Sequence, residues 1–316
     1  MQDPRTNLLE NIDISSIRIE FSGSPIVLLC GGKVPVKDRH NDPDLPISSL
    51  RHAITNSTTE FETFRPEEIT NWQKDGVFKN LMDFEADLAG ICSLVVIILE
   101  SPGSIAELGA FSQLDDLSKK LIAIKSADFN DAPSFINLGI LRYISENHES
   151  SVKCYPWELP IDPSIPPDIP NQLITDVCSD IQEELEELPK SQVLNRKKNT
   201  HIVVLICEIV RLFVALKESE IIVYLEILGV QIPKEELRRK LFLLERFTLI
   251  KREEYGGGKF YLSNSDAFHK IRIPLKDGKH IDSLRVTVDC AKYYSESSKD
   301  RNRTRAIQQA SNGVRR

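Results

Sequence analysis

Apolar positions follow two rhythms along the chain. In the first half, short unbroken runs alternate with helical spacing. Residues 26–29, Ile-Val-Leu-Leu, predict a strand ending in Cys30-Gly31-Gly32, and residues 60–64 a second strand running into Arg65-Pro66-Glu67. Leu81, Phe84, Leu88 and Ile91 recur at steps of three and four, which predicts a helix over about residues 80–92. A third strand follows at 94–99, then a helix carrying Glu107. Another strand at 121–124, a helix at 134–144 and a strand at 152–155 complete the series. Runs apolar on both faces and separated by helices predict an α/β fold, an open and mostly parallel sheet with flanking helices.

Residues 156–170 contain six prolines, which stop helices and central strands and so mark a boundary. Beyond it, 171–188 reads as an acidic amphipathic helix and 195–199 as a basic connector. The second rhythm then begins. Helices are predicted at 202–217, 220–228 and 233–247, followed by a hairpin at 250–262 whose three glycines supply the positive φ of a tight turn. Helices followed by a hairpin predict a winged helix. The expected organisation is an α/β domain at 1–157, a Pro-rich linker and acidic helix at 158–200, a winged-helix domain at 201–290, and a basic flexible tail at 291–316.

Charge sharpens this division. Residues 1–155 carry 14 Lys/Arg against 23 Asp/Glu, residues 156–194 one against nine, and residues 195–316 carry 25 against 15. An acidic front and a basic back suggest different partners, nucleic acid for the second. A solvated basic surface is the plainer alternative. The longest apolar stretch, 202–216, is broken by Glu208 and Arg211, so no membrane span is expected. The N-terminal residues have neither the basic nor the apolar region of a secretory signal. Six scattered cysteines without a CxxC pair point away from disulfides and zinc, and toward a reducing cytoplasm.

Candidate chemistry gathers where strands should end. Parallel sheets bind ligands beyond the carboxyl ends of their strands. Cys30-Gly31-Gly32, Arg65-Pro66-Glu67 and Ser101-Pro102-Gly103-Ser104 should therefore converge there. Gly31 and Gly32 would admit a ligand close to the backbone. Ser101, Gly103 and Ser104 open a helix able to hold a phosphate or hydroxyl, although an N-cap explains both serines equally well. Glu107, one turn into that helix, could stabilise or trap the oxocarbenium charge formed when an N-glycosidic bond breaks. Its alternative role is to complement the helix dipole. The histidines pair with no Ser or Cys nucleophile, and the Cys30 loop lacks the third glycine of a dinucleotide fingerprint.

The run Ser101-Pro-Gly-Ser-Ile-Ala-Glu-Leu-Gly-Ala-Phe111, after its Val/Ile-rich strand, resembles the nucleoside 2-deoxyribosyltransferase-like domains of retron effector proteins. Leu28-Leu-Cys-Gly-Gly32, Pro66-Glu67, Lys120-Leu-Ile-Ala-Ile124 and Ser134-Phe-Ile-Asn-Leu-Gly139 with Arg142 agree in the same order, so the resemblance spans about residues 24–155. The winged helix behind it matches the family in architecture more than in residues.

The resemblance implies that Glu107 is the nucleophile-like glutamate. It implies a toxin of anti-phage defence that cleaves the N-glycosidic bond of NAD or a nucleotide; no metal or cofactor is expected. Such a toxin is held inactive in a complex with a reverse transcriptase and its RNA–DNA hybrid (msDNA), and a higher-order oligomer could form. The family's second acid has no mapped counterpart here, and Glu67, Glu68 or Glu100 could fill the place. Pro66, Glu67 and Asn137 are further candidate substrate contacts, Asn137 being equally suited to capping the helix of Arg142. Arg142 suits a phosphate or a salt bridge.

In the basic half, Leu237, Leu241 and Leu244 would pack inward from the third helix. Lys234, Arg238 and Arg239 would face a nucleic acid, and Lys251, Arg252 and Lys259 on the hairpin would contact phosphates. Such domains also serve as protein-binding modules. The tail arginines Arg301, Arg303, Arg305, Arg315 and Arg316 would add sequence-independent affinity. A reading from another class is a nucleotide-sensing winged-helix regulator without catalysis.

Overall fold

Uninterrupted aliphatic runs form the centre of a parallel sheet. The computed structural model describes residues 3–21, 25–35, 45–69, 76–129, 133–160, 165–264 and 269–313. After α1 (Pro4–Glu10) and β1 (Arg18–Glu20) the chain enters an α/β unit made of Ser24–Thr70 and Asn80–Leu188. Its elements are β2 (Ile26–Cys30), α2 (Leu50–Thr55), β3 (Glu62–Phe64), α3 (Leu81–Ile91), β4 (Leu94–Ile98), α4 (Pro102–Phe111), α5 (Asp115–Ser118), β5 (Leu121–Ser126), α6 (Arg142–Asn147), β6 (Val152–Tyr155) and α7 (Asn171–Glu187). A π-helical turn, Ile136–Leu141, leads into α6.

All five strands are parallel, in the order β3-β2-β4-β5-β6. Every residue of β2, β4 and β5 is buried, as a sheet covered on both faces requires. Counted within the sheet, the order is second-first-third-fourth-fifth, so the direction of winding reverses between β2 and β4. That reversal is the topological switch point, where doubly wound sheets open a crevice.

On one face, Leu50 and Ile54 of α2 and Leu173, Val177 and Ile181 of α7 share a core with Val27, Leu29, Val96, Ile98, Ile122 and Ile124. The acidic helix expected between domains thus lies on the sheet. Its apolar residues, spaced by four, are an inward stripe, while most of its acids stay in water.

The second unit gathers Met1–Gly23, Asn71–Lys79 and Pro189–Arg316, so the contacts divide the chain differently from the boundaries expected at 157 and 200. Strand β1 pairs antiparallel with β7 (Ser191–Val193) and β11 (Lys270–Arg272). Between them come α8 (Asn199–Leu212), β8 (Ala215–Leu216), α9 (Glu218–Ile227), α10 (Lys234–Arg246) and the hairpin β9 (Ile250–Tyr255) with β10 (Gly258–Ser263). Strand β8 pairs with β10, and Gly256 and Gly257 turn the hairpin with φ of 57° and 74°. This is the element order of a winged helix. The helix expected over 202–217 stops at Leu212, because Val214 takes φ of 66° and redirects the chain into β8.

The expected flexible tail is corrected. Residues up to 313 form α11 (Ser283–Glu296) and α12 (Arg301–Gly313). Ala306, Ile307 and Ala310 pack α12 against Ala215, Phe260 and Leu262. Arg303 is buried and pairs with Glu220 at 2.6 Å and Asp300 at 2.8 Å. Arg315 and Arg316 lie outside the described residues. Among the described residues no helix is long and apolar enough to cross a membrane.

Candidate active site

Two helix starts meet at the switch point. The carboxylate of Glu100, which follows β4, accepts hydrogen bonds from the backbone amides of Gly32 (2.9 Å), Leu50 (2.8 Å) and Arg51 (3.0 Å). Burial raises its pKa, and the three amides work against that rise. Glu100 thus joins the loop after β2 to the start of α2, which leaves it no catalytic role.

The glycines serve the same junction. A Cβ on Gly32 would lie 2.6 Å from Ser49 Cβ, and one on Gly31 would lie 2.9 Å from Glu100 Oε1. Close packing against α2 and Glu100, rather than ligand approach, is what requires glycine at both positions. Ser101 caps α4, accepting from the amide of Ser104 at 3.1 Å and donating to the carbonyl of Gly31 at 3.0 Å. The Ser104 hydroxyl in turn accepts from the Ser101 amide at 3.2 Å, closing a capping box. Both hydroxyls are committed to the fold. Gly103 is exposed, and a Cβ there would meet only Ser101 Oγ, at an ordinary 3.7 Å.

Glu107 projects from the second turn of α4 into this junction. Its Oε2 is buried and makes no hydrogen bond. Burial pushes its carboxyl above the ordinary value, while the neighbouring Cys30 thiol and the Arg51 guanidinium pull the other way. The Cys30 thiol is itself pushed well up, first by burial and then by the charge of Glu107, so it stays a protonated donor. Arg51 is buried and reaches Glu67 with both terminal nitrogens, at 2.8 and 2.7 Å. Burial alone would raise Glu67, but that two-pronged contact outweighs it and holds the carboxyl below its usual range. The same contact commits Glu67, and Glu68 pairs with Arg65 at 2.8 Å.

The acid that sequence spacing missed is Glu85, on α3. It is buried, and its pKa is pushed up to about 7, first by burial and then by the charges of Glu107 and Glu67. The site therefore holds two carboxyls of different character. Glu107, beside Arg51 and a thiol donor, is the one favoured to ionise, while Glu85 holds its proton near neutrality. A signal existed, since Glu85 lies four residues after Leu81 and three before Leu88, on the stripe that defined the helix. A carboxyl there has no structural use for its charge. Arg51 lay in a stretch without apolar periodicity and carried no signal.

Pro66 is buried in a 3₁₀ turn that sets Glu67. Asn137 donates to the Phe129 carbonyl at 2.7 Å and accepts from Lys125 at 3.2 Å, so its amide is engaged by the chain itself. Arg142 is exposed and pairs with Glu146 at 3.1 Å.

In the other unit, the expected nucleic-acid contacts do lie on α10 and the hairpin, but most are paired. Lys234 and Arg238 both meet Glu218, at 3.6 and 3.1 Å. Arg252 meets Glu245 and Glu254, and Lys259 meets Glu254. Lys251 donates to the Ala310 carbonyl of α12 at 3.2 Å. Arg239 is partly exposed on α10.

The sequence model of the family described as STM3845 retron effector protein matches residues 47–252, about two thirds of the chain. The chain belongs to this retron effector family. Two curated relatives come from Escherichia coli. The "Retron Ec86 putative ribosyltransferase/DNA-binding protein" is 34% identical over 138 residues, 42% of each chain. The "Retron Ec73 putative ribosyltransferase/DNA-binding protein" is 38% identical over 78 residues, 25% of each chain. The effector therefore spans less than half the length of the curated relatives it matches. Its family segment includes Arg51, Glu85 and Glu107 and stops before β10, α11 and α12.

Proposed function

We propose that the effector cleaves N-glycosidic bonds, with Glu107 at the anomeric carbon and Glu85 as general acid. The observation that carries this is the unpartnered, buried Oε2 of Glu107 at the switch point, beside a carboxyl that keeps its proton near pH 7. An oxygen held without a hydrogen bond in a buried setting is poised to take up developing positive charge, because nothing must be broken before it acts. Glu107 attacks C1′ or stabilises the cation formed there. The bond from C1′ to the base nitrogen breaks and its electron pair stays on the base; a purine takes the Glu85 proton as it leaves, whereas nicotinamide leaves NAD neutral and takes none. Water then takes the sugar, and its proton returns to Glu85. Glu100, the glycines and Arg51 hold the two helix starts in place.

The substrates that fit this chemistry are NAD and nucleotides. The relatives' names, a ribosyltransferase and a DNA-binding protein, support glycosyl chemistry in one unit and nucleic-acid contact in the other. Membership of a retron effector family supports a toxin restrained by a reverse transcriptase and its msDNA. The test is to incubate the whole protein, alone and with its retron partners, with NAD, nucleosides and nucleotides, and to separate the products by chromatography. Release of a free base supports the reading. If every substrate stays intact in both settings, the reading fails.

A further inference from the structure

Cations that serve nucleic acid must be free to exchange their counterions for phosphates. On α10 and the hairpin this condition is poorly met. Lys234 and Arg238 share Glu218, Arg252 and Lys259 share Glu254, and Lys251 is tied to the carbonyl of Ala310. The exposed surface of α10 also offers Glu235 beside Lys234 and Arg238. An approaching phosphate would displace a carboxylate already in place, so few counterions would be released.

Helix α12 presents the opposite surface. It contains no Asp or Glu. Arg301, Arg305, Gln308 and Asn312 are exposed and recur at steps of four, three and four, which puts them in one stripe. The stripe is about 16 Å long at 1.5 Å per residue. Lys299, just before the helix, is exposed too. Neither Lys299 nor Arg301 has an ion pair among the described residues, and Arg305 bonds only the neutral amide of Gln308, at 3.2 Å. The opposite face of the helix is occupied by its packing on Phe260 and Leu262, and Arg303, buried there, is spent on Glu220 and Asp300. The tail cations that lie in described residues thus divide into Arg303, which is structural, Lys292, which pairs with Glu296 on α11, and a free outward group.

We infer that the outward stripe of α12, with Lys299, Arg301 and Arg305, is the surface through which the effector grips a nucleic-acid duplex, in place of the expected α10 face. This rests on the reading that the chain binds nucleic acid. Charge complementarity selects a polyanion. Carboxamides beside arginines suit phosphate and sugar oxygens and base edges. A helix that lies on lipid would need an outward apolar face, and the apolar residues of α12 are turned inward against the hairpin.

The test measures binding of the whole protein to a fluorescent DNA duplex of about 20 base pairs, two helical turns, across a series of salt concentrations. Each free cation lost should lower the slope of log K against log salt by about 0.9. The double variant Arg301→Gln/Arg305→Gln should lower it by about 1.8 and weaken Kd at least tenfold at low salt, whereas Lys234→Gln/Arg238→Gln stays within about twofold of the wild type. A larger loss from the α10 pair overturns the inference and leaves duplex binding intact. If the wild type binds no duplex, both the inference and the nucleic-acid reading fall. Arginine-dependent binding to vesicles of anionic phospholipid, with none to the duplex, would also overturn it.

Discussion

Replacing Glu85 by Gln removes the proton that the proposed mechanism sends to the leaving base while preserving size and burial. Its pKa lies at about 7 against an ordinary 4.5, a gap worth about 3 kcal/mol at 1.36 kcal/mol per unit. Because the folded value is raised, the site carries no penalty below about pH 4.5, where both states are protonated. Stability is lost as pH rises from about 4.5 to about 7, because the unfolded chain gives up a proton that the buried carboxyl keeps, and the full penalty stands once the folded carboxyl ionises. Glu85→Gln should therefore match the wild type in denaturant midpoint at pH 4 and exceed it by up to about 3 kcal/mol at pH 8.

Catalysis should move in the opposite direction. Wild-type kcat/KM for a purine nucleotide should fall above about pH 7, as Glu85 ionises. The variant should lose that limb and run about 10²–10⁴-fold slower at pH 6. NAD offers an internal control, since its nicotinamide departs neutral without needing a proton, and its turnover should be affected far less. An alkaline limb that persists unchanged in Glu85→Gln, or equal losses with both substrates, would refute the assignment of Glu85 as the acid.

Other perturbations separate neighbouring roles. Gly32→Ala pushes a Cβ to 2.6 Å from Ser49 and should cost about 1–3 kcal/mol in chemical denaturation, whereas Gly103→Ala, whose Cβ meets only Ser101 Oγ at an ordinary 3.7 Å, should be neutral or slightly stabilising. Cys30→Ala removes a neighbouring thiol that lowers the Glu107 pKa, so the acidic limb of the rate profile should shift to higher pH, and Cys30→Ser should largely restore it. Arg303→Ala strips Glu220 of a buried partner and should destabilise the second unit by about 3–5 kcal/mol in a urea titration.

Sheet and crevice were legible because burial on both faces leaves an unmistakable mark. Strands such as Leu94–Ile98 could be nothing but central, and strand ends fixed where the crevice opens. That logic put Glu107 beside the crevice, and the resemblance to retron effectors gave it the role of nucleophile. What stayed hidden depended on tertiary partners. Gly31 and Gly32 suggested an open cradle, but their lack of side chains admits Glu100, which follows β4, and Ser49 and Arg51, from a helix with no periodic signal. Glu100 offered itself as a second acid, and only the three amides on its carboxylate showed it to be a tie. The tail looked disordered because its apolar stripe is mostly alanine, and its helix is stabilised by the hairpin it covers. The pairing of Lys234 and Arg238 with one glutamate, sixteen and twenty residues back across a turn, is likewise invisible to charge counting.

The most direct measurement compares wild type and Glu107→Gln for base release under conditions where the wild type is active, with circular dichroism confirming that both are folded. Gln fills the same space and keeps a polar oxygen, but it supplies no negative charge at C1′. The account predicts that the folded variant releases no measurable base. Turnover by Glu107→Gln at the wild-type rate would contradict it.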